Sequence, residues 1–312
     1  MTNKTVQVNN IEIGDKNPIV FITGPCQLES RDHAMMMAEQ LTKLFSDAGA
    51  QFIFKSSYDK ANRSSISSAR GIGMDEGLRI LQEVAETFGC PVITDVHESG
   101  HCAPAAEAVD ILQIPAFLCR QTDLLIAAGN TGKPINVKKG QFLAPWDMWN
   151  VAEKIGSSGN QNILLCERGT SFGYNTLVND FRGLQTMAET GYPVIFDATH
   201  SVQQPSGRGN TSGGERHFVA GLARAACAMG VSGVFIETHQ DPDTAPCDGP
   251  NMIPLDQMGA LVKDLLRFDA LRKSLYPPAK EGSHSTIPGN ATKSAIVTPS
   301  ATKNGATPLN TS

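Results

Sequence analysis

A chain of 312 residues exceeds the ~100–200 of a typical domain, so it holds one large domain or two small ones and has ample material for a buried core. Lys and Arg number 26 against 31 Asp and Glu, a formal charge of −5, which argues against a general nucleic-acid binder but leaves room for a local basic site. No apolar run nears the ~18–20 residues of a membrane span and the opening MTNKTVQVNN lacks a basic-then-apolar leader, so a soluble cytoplasmic protein is expected. Seven cysteines, at 26, 90, 102, 119, 166, 227 and 247, are odd in number and form no CxxC, which fits a reducing compartment better than a disulfide framework.

In chain order, residues 5–13 (TVQVNNIEI) read as two short strands around Asn9-Asn10, a hairpin placed to plug a barrel bottom. Eight β-rich runs follow: PIVFITGP (18–25), QFIFKSS (51–57), PVITDVH (91–97), DILQIPA (110–116), PINVKKG (134–140), NILLCERG (162–169), PVIFDATH (193–200) and GVFIETH (233–239). Helical spacing separates them, as in Leu78, Leu81, Val84, Ala85 and Phe88, closed by Gly89 as a C-cap. Two-sided apolar runs alternating with helices indicate a parallel sheet buried on both faces, and eight repeats favour a closed (β/α)8 TIM barrel over an open sheet. The barrel domain is assigned to residues 1–278. Residues 279–312 contain no aromatic side chain and eleven Ser or Thr, and read as a low-complexity flexible tail.

Each run ends in a polar group: Cys26, Lys55, Asp95 with His97, Gln113, Lys138, Arg168, His200 and Glu237. In a barrel these share the rim where active sites form. Lys55, Lys60, Arg63, Arg120, Lys138 and Arg168 all lie at or just past strand ends, and such a cationic mouth makes sense if anions occupy it, so a phosphorylated substrate is expected. KANRSS (60–65) adds donors suited to a phosphate and sugar hydroxyls. Barrel closure puts strand eight between strands seven and one, so Cys26, His200 and Glu237 should meet, with Asp248 as a fourth ligand. That donor set suits Zn²⁺ or Fe²⁺, and Mn²⁺ less well. His97 and His239 read as rim or core histidines. GIGMDEG (71–77) is a loop entering a helix, GNTSGGERH (209–217) a βα loop able to act as a lid, and Trp146 with Trp149 a core or subunit contact.

GPCQLES (24–30), KSSYDKANRSS (55–65), TDVHE (94–98), QIPAFLCRQTDLL (113–125), VKKGQFLAPWDM (137–148), CERGTSFGYNTLVNDFR (166–182), DATHSVQQP (197–205) and CDGPNM (247–252) resemble 3-deoxy-D-manno-octulosonate 8-phosphate synthase over roughly residues 5–276. The resemblance implies a cytoplasmic, homotetrameric barrel that condenses phosphoenolpyruvate with D-arabinose 5-phosphate and water, releasing phosphate, on the route to the Kdo sugar of lipopolysaccharide. By the same resemblance Lys60, Lys138, Arg168, Gln113 and the Ala116 backbone hold phosphoenolpyruvate. Asn62, Arg63 and Ser64 hold the pentose phosphate, and Arg120 reaches a phosphate across a subunit boundary. Lys55, Asp95 and Asp248 surround the aldehyde, and Lys138, Lys60, His200 and Asp248 are expected to carry the chemistry. Cys26 stands where metal-free relatives have asparagine, which implies the metal-requiring branch, whereas the CDGP form of the Asp248 loop is commoner among the metal-free ones. The rivals are the synthase that uses erythrose 4-phosphate, whose corresponding loop holds Lys-Pro-Arg instead of KANRSS, more distant sialic-acid-type synthases, and a non-catalytic phosphosugar binder.

Overall fold

A computed structural model describes residues 4–63, 65–66, 68–207 and 212–275. The expectations for Ser64 and for the segment 279–312 lie outside the described residues.

The chain opens with a hairpin, β1 (Val6–Val8) and β2 (Ile11–Ile13), whose turn places Asn9 at φ 49°, a left-handed conformation that asparagine tolerates. Eight parallel strands then alternate with eight helices: β3 (Val20–Gly24), α1 (Arg31–Ala48), β4 (Gln51–Lys55), α2 (Met74–Phe88), β5 (Val92–Asp95), α3 (Ser99–Ala108), β6 (Ile111–Ile114), α4 (Thr122–Asn130), β7 (Ile135–Lys138), α5 (Met148–Gly156) and β8 (Ile163–Glu167). A two-residue ribbon, β9 (Thr170–Ser171) with β10 (Leu177–Val178), precedes α6 (Arg182–Ala188) and β11 (Val194–Asp197). A second ribbon, β12 (Gln203–Gln204) with β13 (Gly213–Gly214), precedes α7 (Val219–Met229), β14 (Gly233–His239), the short β15 (Ile253–Pro254) and α8 (Leu255–Leu275). The ladder runs β3 to β8, then β11, then β14, and β14 pairs back onto β3, with Glu237 opposite Gly24, so the sheet closes.

Side-chain alternation along the strands explains the two apolar layers. Val20, Ile22, Ile53, Ile93, Ile111, Leu164, Cys166, Ile195 and Phe235 form one cluster with Val6, Val8, Ile11 and Ile13, so the hairpin does pack against the barrel interior. The alternate positions, among them Phe21, Phe52, Phe54, Val92, Leu112, Leu165 and Phe196, pack instead with the buried faces of the helices. Gly89 caps α2 at φ 65° and Gly73 opens it, as the loop-into-helix reading of GIGMDEG requires. Trp146 and Trp149 are 67 % and 48 % exposed, which removes the core reading and leaves the subunit-contact alternative. Their three-residue spacing is shared by core-facing and solvent-facing sides of a helix, so spacing alone could not separate them. Among the described residues no helix is long and apolar enough to cross a membrane.

Candidate active site at the mouth of the barrel

The C-terminal ends of the strands surround a cavity of about 1500 Å³. Its wall includes Lys55, Lys60, Asn62, Arg63, Asp95, Gln113, Ala116, Lys138, Arg168, His200 and Asp248, each named from the sequence. Arg120 is exposed and not in this wall. His97 is at the rim, whereas His239 is buried with its Nε2 2.8 Å from Glu29 Oε1, a structural contact.

The six cations are not equivalent. Lys55 Nζ donates to Glu237 Oε1 at 2.8 Å and to the Cys26 carbonyl at 3.1 Å, and lies 3.8 Å from Asp95 Oδ2. Burial works against its charge, but Glu237 and Asp95 hold its pKa above the ordinary lysine value. Lys138 pairs with the fully buried Asp197 and stands over the Phe235 ring. By contrast Lys60, Arg63 and Arg168 have no carboxylate within 4.0 Å among the described residues; Lys60 donates to Ser57 Oγ and Arg63 to the Ala69 and Pro246 carbonyls. Arg168 is 4 % exposed, its Nη2 donates to Gln203 Oε1 at 2.9 Å, and its buried Nη1 has no hydrogen-bond partner among the described residues. A buried guanidinium with an unspent donor on a cavity wall calls for an anionic acceptor. Of the six cations read at the mouth, Lys55 and Lys138 are compensated by Glu237, Asp95 and Asp197, Arg120 lies outside the wall, and the remaining excess sits on Lys60, Arg63 and Arg168.

The polar floor is rigid. Asp95 accepts from Ser57 Oγ and from Gln113 Nε2 (2.7 Å), and Gln113 Oε1 accepts from Asn136 Nδ2 (2.8 Å), which fixes the amide's orientation. Burial alone would raise the Asp95 pKa; Lys55, Lys60 and His97 push it below the usual carboxylate range. Glu167 Oε1 accepts from the backbone N–H groups of Arg168 (3.0 Å) and Gly169 (2.7 Å) and faces Lys139 Nζ at 3.5 Å, anchoring the loop that carries Arg168.

A second group of side chains fits a divalent ion. His200 Nε2 lies 3.7 Å from Asp248 Oδ2 and 3.8 Å from Glu237 Oε2, and Cys26 Sγ lies 3.3 Å from the same Asp248 oxygen. A tetrahedral ion with ~2.0–2.3 Å bonds has ligand–ligand edges of roughly 3.3–3.8 Å. Among the described residues the buried Glu237 Oε2 has no hydrogen-bond partner, and Asp197 Oδ2 sits 2.8 Å from His200 Nδ1, an ion-pair contact without hydrogen-bond alignment that leaves Nε2 for an ion. Burial opposes charge on His200, but Asp197 and Glu237 raise its pKa to about 9, so an ion would compete with a proton there. Cys247 also meets Cys26, their Cα atoms 6.4 Å apart, because closure of β14 against β3 brings the Cys247 loop over the end of the first barrel strand.

Five contributors were missed from sequence. Asp197 stands three residues before His200 in DATH, the spacing that lets a strand-end carboxylate support the imidazole. Gln203 joins Arg168 to Asp248, donating to Asp248 Oδ1 at 2.8 Å. Glu167 with Lys139 carried no signal beyond charge, and Cys247 had only its place beside Asp248. The assembled mouth can seat a small polyanion against three uncompensated cations, next to a thiol, imidazole and carboxylate cluster able to activate an oxygen.

The profile of the DAHP synthetase I family matches residues 2–270. The chain is 63 % identical over 271 residues to the 2-dehydro-3-deoxyphosphooctonate aldolase of Granulibacter bethesdensis, covering 87 % of this chain and 96 % of that one. It is 58 % identical over 273 residues to the proteins of the same name from Brucella ovis and Brucella melitensis, covering 88 % of this chain and 99 % of each relative. Similarity of that depth, running through every wall of the cavity, means that the chain belongs to the DAHP synthetase I family and, within it, to the 2-dehydro-3-deoxyphosphooctonate aldolases.

Proposed function

We propose that the chain condenses phosphoenolpyruvate with D-arabinose 5-phosphate and water, giving 3-deoxy-D-manno-octulosonate 8-phosphate and inorganic phosphate, in the cytoplasmic synthesis of the Kdo sugar of lipopolysaccharide. The observation that carries this reading is the unpartnered Arg168 donor, with Lys60 and Arg63 uncompensated, on the wall of a cavity large enough for two small phosphate esters.

Carbon three of phosphoenolpyruvate attacks the aldehyde carbon, water adds at carbon two, and the hemiketal phosphate then loses phosphate by C–O cleavage. Lys60, Lys138 and Arg168 bind the carboxylate and phosphate and offset the charge that changes at carbon two as the bonds rearrange. Gln113 and the Ala116 backbone orient the enol, while Asn62, Arg63 and Ser64 hold the pentose phosphate. Lys55 stays protonated between Glu237 and Asp95 and is placed to donate toward the aldehyde oxygen as it becomes a hydroxyl. Cys26, His200, Glu237 and Asp248 would hold a divalent ion, Zn²⁺ or Fe²⁺ before Mn²⁺, whose chemistry is Lewis-acid polarisation of an oxygen.

Phosphate release from phosphoenolpyruvate, measured with a panel of aldoses, tests the reading. Turnover is expected with D-arabinose 5-phosphate, and little with D-erythrose 4-phosphate or an unphosphorylated aldose; preference for erythrose 4-phosphate overturns the substrate assignment. Chelation is expected to remove the activity and Zn²⁺ or Fe²⁺ to restore it. Full activity in protein shown to contain no metal refutes the ion's role.

A further inference from the structure

Three lysines line the mouth of the barrel: Lys55, Lys60 and Lys138. An ammonium becomes a nucleophile only after it sheds a proton, and a carboxylate in contact with it holds that proton in place. Lys55 Nζ donates to Glu237 Oε1 at 2.8 Å, and Lys138 pairs with Asp197, so both keep their protons. Lys139, one residue further on, is 1 % exposed and donates to the Leu143 carbonyl and to Thr170 Oγ1, each at 3.1 Å.

Lys60 differs from all three. Its Nζ has no carboxylate within 4.0 Å among the described residues and donates to Ser57 Oγ at 2.9 Å, while the Ser57 hydroxyl gives its own proton to Asp95. That contact uses one N–H, so a neutral amine keeps it and still has a lone pair to offer on the cavity wall. Burial and the neighbouring Lys55 ammonium work in the same direction, pushing the Lys60 pKa below the ordinary lysine value. The backbone holds the residue in place, because the Lys60 N–H donates to the Arg70 carbonyl at 2.7 Å. Phosphate recognition is available on the same wall from Arg63 and from Arg168, whose buried Nη1 has no hydrogen-bond partner among the described residues. A cavity of about 1500 Å³ has room for a small ester whose phosphate meets a guanidinium while its other end meets the amine.

We propose that Lys60 is a reversible covalent modification site for small phosphorylated aldehydes, its amine forming an imine with the aldehyde carbon while the phosphate rests on the guanidinium wall. The Nζ lone pair attacks the carbonyl carbon, the C=O π pair moves to oxygen, and a proton passes from nitrogen to that oxygen, giving a carbinolamine. The nitrogen lone pair then forms the C=N bond as the C–O bond breaks, and the departing hydroxide takes up the remaining N–H proton as water. In sum one amine and one aldehyde give one imine and one water, and addition of water reverses the sequence. The adduct removes a cation from the mouth and fills it, so other anions are shut out until the imine hydrolyses. Neither an ion nor turnover is needed, so the site is independent of the condensation reading.

The test uses the full native chain with pyridoxal 5′-phosphate as the aldehyde, borohydride to fix the imine, and a peptide map to locate it. The first equivalent is expected on Lys60, ~10-fold or more faster than on any other lysine. Inorganic phosphate is expected to slow it ~10-fold or more once it fills the wall. Dialysis in place of borohydride is expected to return unmodified chain. Lys60→Arg keeps a cation at the position but forms no imine, and should lose this first equivalent while the slow labelling of other lysines continues. A first equivalent on Lys55, on Lys138 or on an outer-surface lysine overturns the proposal, as does labelling of Lys60 that inorganic phosphate does not slow. Labelled Lys60 in a chain that fails to turn over phosphoenolpyruvate defeats the condensation reading alone, whereas an active chain with Lys60 unlabelled defeats the modification site alone.

Discussion

Asp197 joins the two halves of the mouth through a single carboxylate. Its Oδ2 pairs with the Lys138 ammonium and lies 2.8 Å from His200 Nδ1, while its Oδ1 accepts from the His200 backbone N–H at 2.9 Å and from Thr199 Oγ1 at 3.2 Å. Burial alone would raise its pKa, but His200 and Lys138 hold it well below the carboxylate range. Asp197→Asn keeps the shape and removes the charge, leaving Lys138 without its counter-ion and His200 without the negative charge beside its Nδ1. The variant is expected to lose ~10²-fold or more in kcat/KM and to bind Zn²⁺ ~10–100-fold more weakly, read by steady-state kinetics and by competition with a chromophoric chelator. Native values in both would remove Asp197 from the machinery. Lys60 has the opposite problem. Burial, then the nearby Lys55 ammonium, pushes its pKa below the ordinary lysine value, and Glu237, Asp95 and Asp248 offset this only in part. Between the two pKa values the unfolded chain binds more protons, so the cost of holding this cation fades as pH rises through that window. A dianion bound beside Lys60 favours its charged form again. Inorganic phosphate binding at alkaline pH is therefore expected to take up protons, seen as calorimetric heats that differ between buffers of different ionisation enthalpy. Lys60→Met should abolish the difference, and buffer-independent heats in the native chain would contradict the argument.

The strands that place these residues were legible because both faces of each are apolar, and all eight runs read from the sequence contain a barrel strand. The polar ends were harder. The run 193–200 was read as one strand, but β11 stops at Asp197 and His200 sits on a tight turn, which returns its Nδ1 to the carboxylate three residues earlier. Likewise β8 stops at Glu167, whose side chain takes the N–H groups of Arg168 and Gly169 out of the ladder and turns the guanidinium into the cavity. The two ribbons beside the mouth have strands of two residues each, too short to carry a period. Which cations are already compensated was illegible for a different reason. Lys138 and Asp197 stand on strands separated by β8, so their pairing exists only once those three strands are laid side by side, and Lys55 and Glu237 stand on β4 and β14, which meet only when β14 closes onto β3. The approach of Cys247 to Cys26 depends on the closure of β14 onto β3, which is why cysteine spacing alone did not reveal it.

At the scale of the whole molecule, consecutive loops on one side of the rim carry large exposed apolar side chains: Phe117 after β6, Phe142 and Trp146 after β7, Phe172 and Tyr174 after β8. Phe142 and Phe172 are brought together by the backbone bond from Ser171 N–H to the Gln141 carbonyl. Exposed aromatic surface of this extent marks a contact surface. Arg120 sits in the first of these loops, exposed and outside the wall of its own cavity, and Lys154 Nζ fixes the loop by donating to the Arg120 carbonyl at 3.0 Å. In the homotetramer that the family resemblance implies, Arg120 would reach a neighbouring subunit's pentose phosphate. Light scattering of the native chain is expected to give four times 33.3 kDa, and Trp146→Glu, which puts a charge into the aromatic surface, a smaller species. Arg120→Ala should keep the native mass but raise the KM for D-arabinose 5-phosphate by ~10-fold or more, the loss of a hydrogen-bonded charge contact, with the KM for phosphoenolpyruvate little changed. If the arginine acts across the interface, Trp146→Glu shows the same rise in KM, and adding Arg120→Ala to it raises KM no further. A monomeric native chain with full activity, or a further tenfold rise in the double variant, would mean that Arg120 does not serve a neighbouring subunit.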